Sequence, residues 1–405
     1  MTVAPRFGAN YVPSKGWWYS WIDWDESAIA DDFAAIASLG LDHVRVHCLW
    51  PLFQPNAGLV SSLLLDRLRR LLDVADEHGL DVVVTVFNGW LSGFDFRPHW
   101  IHDSANIFGD RAVVDAQLDL LTALAGCVGG HARFLGFDIA NEPSVLAGDT
   151  KNVTTQAEGD AWLSQLLDHC ERVAPGGLHS VGMDHMPWIT SQDTFSRAAL
   201  ANTGSLTPIH AWTFFTGALE RYGAAGTGTL HLTEYMLELA KAFAADPARL
   251  VWLQEYGVAH DWMDAEQRAN YVVAATLATS SVAGLWGVTW WCSHDIDRSL
   301  KGFDELEYDL GLITARNEVK PLGALLRDVI AAVRCGEAGG AVPRPVALVL
   351  PDAALPDLTF ADEFFALIDS GLRPSIVLAS RAGDVDYLAQ RDIAELRVAA
   401  AGESA

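Results

Sequence analysis

The sequence predicts an α/β protein, a (β/α)8 TIM barrel followed by a small C-terminal β/α appendage. Three observations carry this. Strand-like and helix-like stretches alternate from Arg6 to Trp291, the pattern of repeated βα units. Leu80–Phe87 is a continuous Val-rich run of the kind buried on both faces of a parallel sheet. Two further strand-like stretches end in a carboxylate: Phe137-Asp138-Ile139-Ala140-Asn141-Glu142-Pro143 and Val251-Trp252-Leu253-Gln254-Glu255-Tyr256-Gly257. In a parallel barrel the C-terminal ends of the strands form the functional face.

In chain order, Arg6–Val12 reads as the first strand. The loop Pro13–Asp25 then holds Trp17, Trp18, Tyr19, Trp21 and Trp24. It follows a strand, so it lies over the functional face, where aromatic faces would stack on apolar faces of a ligand; Trp17 and Trp18 are the candidates. Glu26–Leu39 has helical spacing and Gly40 as its stop. Leu41–Leu49 is strand 2, Ser61–His78 the next helix and Leu80–Phe87 strand 3, ending in Asn88-Gly89-Trp90. A long loop with Phe94, His99, Trp100 and His102 separates it from the helix Val113–Val128; loops of that length are usually functional. Gln156–Val173 is a helix, Leu178–Met183 strand 5, and Asp184-His185 follows on the functional face, as substrate contacts or, by preference, as a hydrogen-bonded loop pair. Pro208–Phe215 is strand 6, Thr229–Ala244 a helix, Val251–Gly257 strand 7, Ala265–Val282 a helix and Gly284–Trp291 strand 8.

The domain reading is a barrel over 1–335, a Gly- and Pro-rich linker over 336–345 and an appendage over 346–405. In the appendage Val346–Leu350 and Ser375–Ala379 read as strands, and Phe360–Ser370 and Val385–Val398 as helices. A docking or oligomer-contact role is expected for it, with a homo-oligomer as the assembly.

Composition excludes several classes. With 27 Lys and Arg against 52 Asp and Glu the net charge is −25, which repels nucleic-acid phosphates and anionic membranes. A neutral ligand is compatible with it, and so is solubility alone. Cys48, Cys127, Cys170, Cys292 and Cys335 are scattered and odd in number, so neither a disulfide framework nor a zinc site is indicated. His43 and His47 would stand about 13 Å apart on a strand and make no metal site. No phosphate loop or Ser/His/Asp array is present, and no cofactor is expected. Met1–Phe7 lacks the pattern of a secretion signal, and no apolar run of membrane-spanning length exists. The expectation is a cytoplasmic protein.

Two carboxyl groups on two strand tips are the minimum equipment for cleaving a glycosidic bond. Asn141-Glu142-Pro143, Glu255 on a later strand and the Trp-rich strand 286–291 resemble the retaining glycoside hydrolases of clan A, family 5 above all. The resemblance spans roughly residues 6–334. It implies Glu142 as acid/base, Glu255 as nucleophile and Asn141 as the partner of the sugar 2-hydroxyl. Arg45 matches the family Arg that contacts the nucleophile, and a cation there keeps a carboxylate ionised. His210 matches a family His whose partner two residues on is often Tyr; here that position is Trp212, whose ring is expected to line the sugar pocket. Asn88 stands where many members carry His, and Trp90 follows it. Trp290 is favoured over Trp291 as the floor of the central sugar site, since successive strand residues face opposite ways. Gly311-Leu312 and Lys320-Pro321 resemble the approach to the last helix.

The N-terminal Trp cluster and the Asn88-Gly89-Trp90 turn look similar to a family 5 group that removes β-linked mannose from short N-glycan-core fragments. The expected substrate is thus a short oligosaccharide such as mannosyl-β-1,4-N-acetylglucosamine, cleaved from its end by double displacement. A cytoplasmic enzyme can meet an imported short sugar but not a polysaccharide. Alternatives are an endo-β-1,4-mannanase, a β-glucanase or β-glucosidase of the same family, and a non-catalytic sugar-binding barrel.

Overall fold

A computed structural model describes residues 5–148 and 150–398. Residues 1–4 and 399–405, which the expected domain bounds include, lie outside the described residues. The barrel strands are β1 (Arg6–Asn10), β2 (His43–His47), β3 (Asp81–Phe87), β4 (Phe134–Asn141), β5 (Ser180–Gly182), β6 (Thr207–His210), β7 (Val251–Tyr256) and β8 (Leu285–Trp290). They run in the order β5-β4-β3-β2-β1-β8-β7-β6, and every paired neighbour is parallel. The His210 N–H donates to the Met183 carbonyl at 3.2 Å and links the two ends of the sheet. The result is a (β/α)8 TIM barrel.

Helices follow the strands in turn: α1 (Glu26–Ser38), α2 (Ser62–Glu77), α3 (Arg111–Val128), α4 (Gln156–Val173), α5 (Arg197–Asn202), α6 (Leu232–Phe243), α7 (Ala265–Ser280) and α8 (Pro321–Arg334). Most start on a side-chain cap, because the first backbone N–H groups of a helix have no partner within it. Asp25, Ser61 and Asp110 cap α1, α2 and α3, while Thr155 and Asp264 open α4 and α7 with reciprocal capping boxes.

Strand 6 is shorter than the pattern predicted. It ends at His210, where the Ala211 N–H turns to the Glu255 carbonyl. Residues 212–217 then close on themselves, with Thr216 and Gly217 N–H groups bonded to the Trp212 and Phe214 carbonyls. The apolar run Trp212–Phe215 that resembled strand is a turn over the barrel mouth.

The appendage is a three-stranded parallel sheet, β9 (Val346–Leu350), β10 (Ser375–Leu378) and β11 (Glu395–Val398), in the order β10-β9-β11, with α9 (Leu358–Asp369) and α10 (Val385–Gln390). The helix expected over Val385–Val398 is therefore corrected. It ends at Gln390, the chain turns at Asp392 with φ of 55°, and the remaining residues add a strand to β9. Only residues tolerant of the left-handed region stop a helix this way.

This unit packs on α6, whose residues are buried almost throughout. Glu234, Glu238 and Lys241 form a charged stripe there at helical spacing. Arg344 and Arg373 meet Glu234 at 2.7 and 2.9 Å, and Arg391 and Lys241 meet Glu238 at 3.0 and 3.1 Å. Burial pushes the Glu238 carboxyl up, yet Lys241, Arg344 and Arg391 together hold it down at about 2. Replacing Glu238 with Ala strands these buried cations, so Glu238→Ala is expected to cost about 3–5 kcal/mol of stability in urea unfolding. No helix among the described residues is long and apolar enough to cross a membrane.

Candidate active site

The C-terminal end of the barrel gathers polar side chains because three inward positions on β2, His43, Arg45 and His47, alternate with buried Val44 and Val46. Arg45 is fully buried and uses its whole guanidinium fork. It donates to Asp138 Oδ2 at 2.8 Å, Asn10 Oδ1 at 2.9 Å, Asn141 Oδ1 at 2.7 Å and Glu255 Oε1 at 2.5 Å. Asp138 also accepts from Thr85 Oγ1 and the Gly182 N–H. Gly182 is required: a Cβ there would lie 2.5 Å from Gln254 Oε1 and 2.7 Å from Arg45 Nη2. Arg45→Lys keeps the charge but cannot span these four acceptors. Its kcat/KM for aryl glycosides is expected to fall at least about 100-fold, a loss of about 2.7 kcal/mol of transition-state stabilisation.

Bulges put neighbouring residues on the same side. The register of β7 against β6 skips between Ile209–Leu253 and His210–Glu255, so Gln254 and Glu255 both face inward. The β4–β5 register skips between Asp138–Ser180 and Asn141–Gly182, which aims Asp138 and Asn141 at the same guanidinium. Glu142 follows in the left-handed region, with φ of 46°, an uncommon conformation for a non-glycine residue and one concentrated at functional sites.

Glu142 and Glu255 share His210. The His210 Nδ1 lies 2.8 Å from Glu142 Oε1 and 3.4 Å from Glu255 Oε2. One ligating atom from each of the three residues falls within 4.8 Å of the others. The same trio has the donor types of a metal site, but Arg45 already supplies positive charge 2.5 Å from Glu255. Burial lowers the His210 pKa, so the ring is neutral. Its Nε2 meets Gln254 Oε1, an acceptor, at 2.8 Å and therefore carries the ring proton. Nδ1 can then only accept, and Glu142 is the donor. Burial accordingly pushes Glu142 up to about 7, against the pull of Arg45. Glu255 is also pushed up by burial, but the Arg45 guanidinium counters this. Arg45 touches Glu255 directly, so of the two carboxyls Glu255 is the one held ionised.

Both groups line a cavity of about 490 Å³, within the usual range for small-molecule sites. Trp212, Phe215, His185 and Met186 line it from the loops after β5 and β6, and Trp90, Ser92, Gly93, Asp304, Leu306 and Glu307 from the loops after β3 and β8. Asp184 also lines it, accepts from Ser144 Oγ at 2.5 Å, and is pushed up to about 7 by burial and by Glu142.

A model of the cellulase family, glycosyl hydrolase family 5, matches residues 7–174. Among solved structures, GH5_18 from Streptomyces cattleya in complex with GlcNAc is 40% identical, with 98% of each chain covered and a TM-score of 0.93. A variant of the same protein in complex with Manβ1-4GlcNAc is also 40% identical, covers 98% of this chain and 99% of that one, and has a TM-score of 0.93. The corresponding variant from Bifidobacterium longum subsp. longum, in complex with Manβ1-4GlcNAc, is 33% identical over 97% and 96% of the two chains, with a TM-score of 0.90. The chain belongs to glycoside hydrolase family 5. Comparison with curated proteins gives no match.

The family 5 site places the expected residues unevenly. Glu142, Glu255, Asn141, Trp90 and Trp212 line the cavity, with Arg45 and His210 directly behind them. Asn141 is held by Arg45 and by donating to the Trp90 carbonyl at 2.8 Å. Trp212 does more than line the pocket, since its indole N–H points at Glu255 Oε2 from 3.4 Å, a donor where the family's Tyr would offer a hydroxyl. Asn88 does not line the cavity; it is buried against His47 Nδ1 at 3.0 Å.

Trp290 is a correction. Thr289 faces the barrel interior, bonded to His43 and Trp252, so Trp290 points outward. There it packs edge-on against Tyr256 and donates to the Leu310 carbonyl. Trp291 is the ring that lines the cavity. Trp17 and Trp18 are a second correction. Both are buried, packed on each other at 4.2 Å, with Trp18 backing His47 and Trp291, and neither lines the cavity. Their role is to support the wall.

Sequence reading passed over Asn10, Asp138, Gln254, Ser92 and Glu307. For Asp138 and Gln254 a signal existed, since each is a polar residue inside an apolar strand next to a catalytic candidate. Ser92 and Glu307 sit in loops with no periodicity to mark them.

Proposed function

We propose that this family 5 enzyme is a retaining, exo-acting β-mannosidase that releases terminal β-linked mannose from short oligosaccharides such as Manβ1-4GlcNAc. The observation that carries this reading is a seam of contacts between the loops after β3 and β8, at the wall of the cavity that holds the carboxyl pair. The hairpin Trp90–Leu91/Phe94–Asp95 and the turn Glu305–Asp309 meet there, with Ser92 Oγ donating to Glu307 Oε2 at 3.0 Å. Phe94 packs edge-on against Phe303 at 5.1 Å, and Trp17 meets Phe303 at 4.8 Å. A chain extended past the terminal sugar would have to break this seam.

Retention is supported by spacing. Carboxyl oxygens within 4.8 Å leave no room for a water between sugar and base, as an inverting enzyme needs. Glu255, ionised by Arg45, attacks the anomeric carbon while Glu142 passes its proton to the leaving oxygen. Glu142 then takes a proton from the water that frees the sugar. Asn141, fixed by two hydrogen bonds, offers its amide to the 2-hydroxyl, a contact that strengthens as charge develops at the anomeric carbon. Mannose is favoured because two solved relatives at 33–40% identity hold Manβ1-4GlcNAc. The five cysteines are all free thiols, which suits a reducing, cytoplasmic setting.

The test is a panel of p-nitrophenyl β-mannoside, β-glucoside and β-galactoside with mannotriose, Manβ1-4GlcNAc and mannan. Mannose release from the disaccharide with little action on mannan supports the proposal. Cleavage of polymers alone would replace it with the endo reading, and a folded but inert protein with the sugar-binding one.

A further inference from the structure

Among the described residues, Glu307 is one of five acidic residues that line the cavity, with Glu142, Asp184, Glu255 and Asp304. On the same turn Arg298 meets Glu305 at 2.5 Å and Asp309 at 2.8 Å, and farther along the loop Lys320 meets Asp295 at 2.7 Å. Glu307 lines the cavity, partly buried, and has no ion pair among the described residues. Its hydrogen bond is the one from Ser92 Oγ to Oε2. Burial pushes its carboxyl up to about 7, against the pull of the Ser92 hydroxyl, so as a carboxylate it is under-solvated. It has further acceptor positions, and the direction left for them is the cavity.

The barrel order fixes what would lie there. Glu142 stands at the tip of β4, between β3 and β5, and the loops after β5 and β6 bring His185, Met186, Trp212 and Phe215 to the cavity. The acid must face the leaving group, so the leaving sugar lies on that side. Glu307 comes from the loop after β8, four strands around the barrel from β4, and Ser92 reaches it from the loop after β3; Glu307 therefore faces the far edge of the terminal sugar. That edge carries hydroxyl donors and no charge.

We propose that Glu307, held in place by Ser92, accepts hydrogen bonds from hydroxyls of the terminal sugar on carbons remote from the scissile bond, and is the residue that selects a free, neutral non-reducing end. This rests on the exo-β-mannosidase reading and extends it. Ionised, above about pH 7, the group only accepts, so a sugar with an ether link or a carboxylate at that position is rejected there.

The test pairs the variants Glu307→Gln and Ser92→Ala with p-nitrophenyl β-mannoside and its 3-, 4- and 6-deoxy analogues. Glu307→Gln is expected to lower kcat/KM on the parent about 10- to 100-fold, as for loss of a hydrogen bond to a charged group. On the analogue lacking the partner hydroxyl, the same variant should lose less than about threefold, because wild type has already lost the contact. Ser92→Ala should repeat the pattern with a smaller loss. A Glu307→Gln enzyme within about twofold of wild type on the parent would overturn the proposal. So would a loss equal on all the analogues, which marks a structural role; melting temperatures of both variants check that the fold is kept. If wild type cleaves another β-glycoside instead, the mannosidase reading fails by itself, and the cycle is run on deoxy analogues of that sugar with the same two criteria.

Discussion

Glu255→Ala is expected to lower kcat/KM by at least about ten-thousandfold on every β-glycoside the enzyme cleaves, activated aryl glycosides included. No leaving group is good enough to do without the nucleophile, because the covalent intermediate cannot form. The fold should survive, since shortening Glu255 removes a buried charge while Arg45 keeps Asp138, Asn10 and Asn141 as partners. Azide should restore turnover by entering the space on the α face and leaving α-mannosyl azide as product. Full activity of Glu255→Ala on p-nitrophenyl β-mannoside would remove Glu255 from the chemistry.

Glu142→Ala is expected to separate substrates by leaving group. On Manβ1-4GlcNAc, whose departing alkoxide needs a proton, kcat/KM should fall about 10²- to 10⁴-fold. On 2,4-dinitrophenyl β-mannoside it should fall less than about tenfold, because that phenolate leaves unaided. The second step loses its base, so the intermediate should accumulate, and azide should rescue it as β-mannosyl azide. The pH profile carries the sign of the perturbed carboxyl. Burial pushes Glu142 up to about 7, so the proton is present below that pH and lost above it. Wild-type kcat/KM on the disaccharide should therefore decline above about pH 7, as an apparent value of the coupled carboxyl pair. The decline should vanish in Glu142→Ala assayed with the dinitrophenyl glycoside.

The barrel was legible because parallel strands buried on both faces are largely apolar, as Val82–Val84 and Val251–Leu253 are. Glu142 and Glu255 stood out against that background as charges no core would keep without use. Arg45 was readable for the same reason, through its alternation with Val44 and Val46. The phase at the end of β8 was not readable. The register against β7 shifts between Val288 and Trp290, and a string of aromatics gives no polarity to show which one turns inward. Trp17 and Trp18 were misplaced because an aromatic that packs behind a wall has the same composition as one that forms its face. The seam at the cavity wall joins Ser92 and Glu307, far apart in sequence, through a hydrogen bond, a contact that only three-dimensional closure creates. In the appendage the Ala- and Leu-containing end was equally compatible with helix. The left-handed turn at Asp392 and the free edge of β9 decided for strand.

The central claim is that two carboxyls on β4 and β7 release a terminal β-mannose with retention, and proton NMR of Manβ1-4GlcNAc digestion tests it most directly. The anomeric signals are followed from the first minutes. The account predicts that β-mannose appears first, together with GlcNAc, and that α-mannose grows in only as mutarotation proceeds. α-Mannose as the first product, or an untouched disaccharide in the presence of folded enzyme, would contradict it.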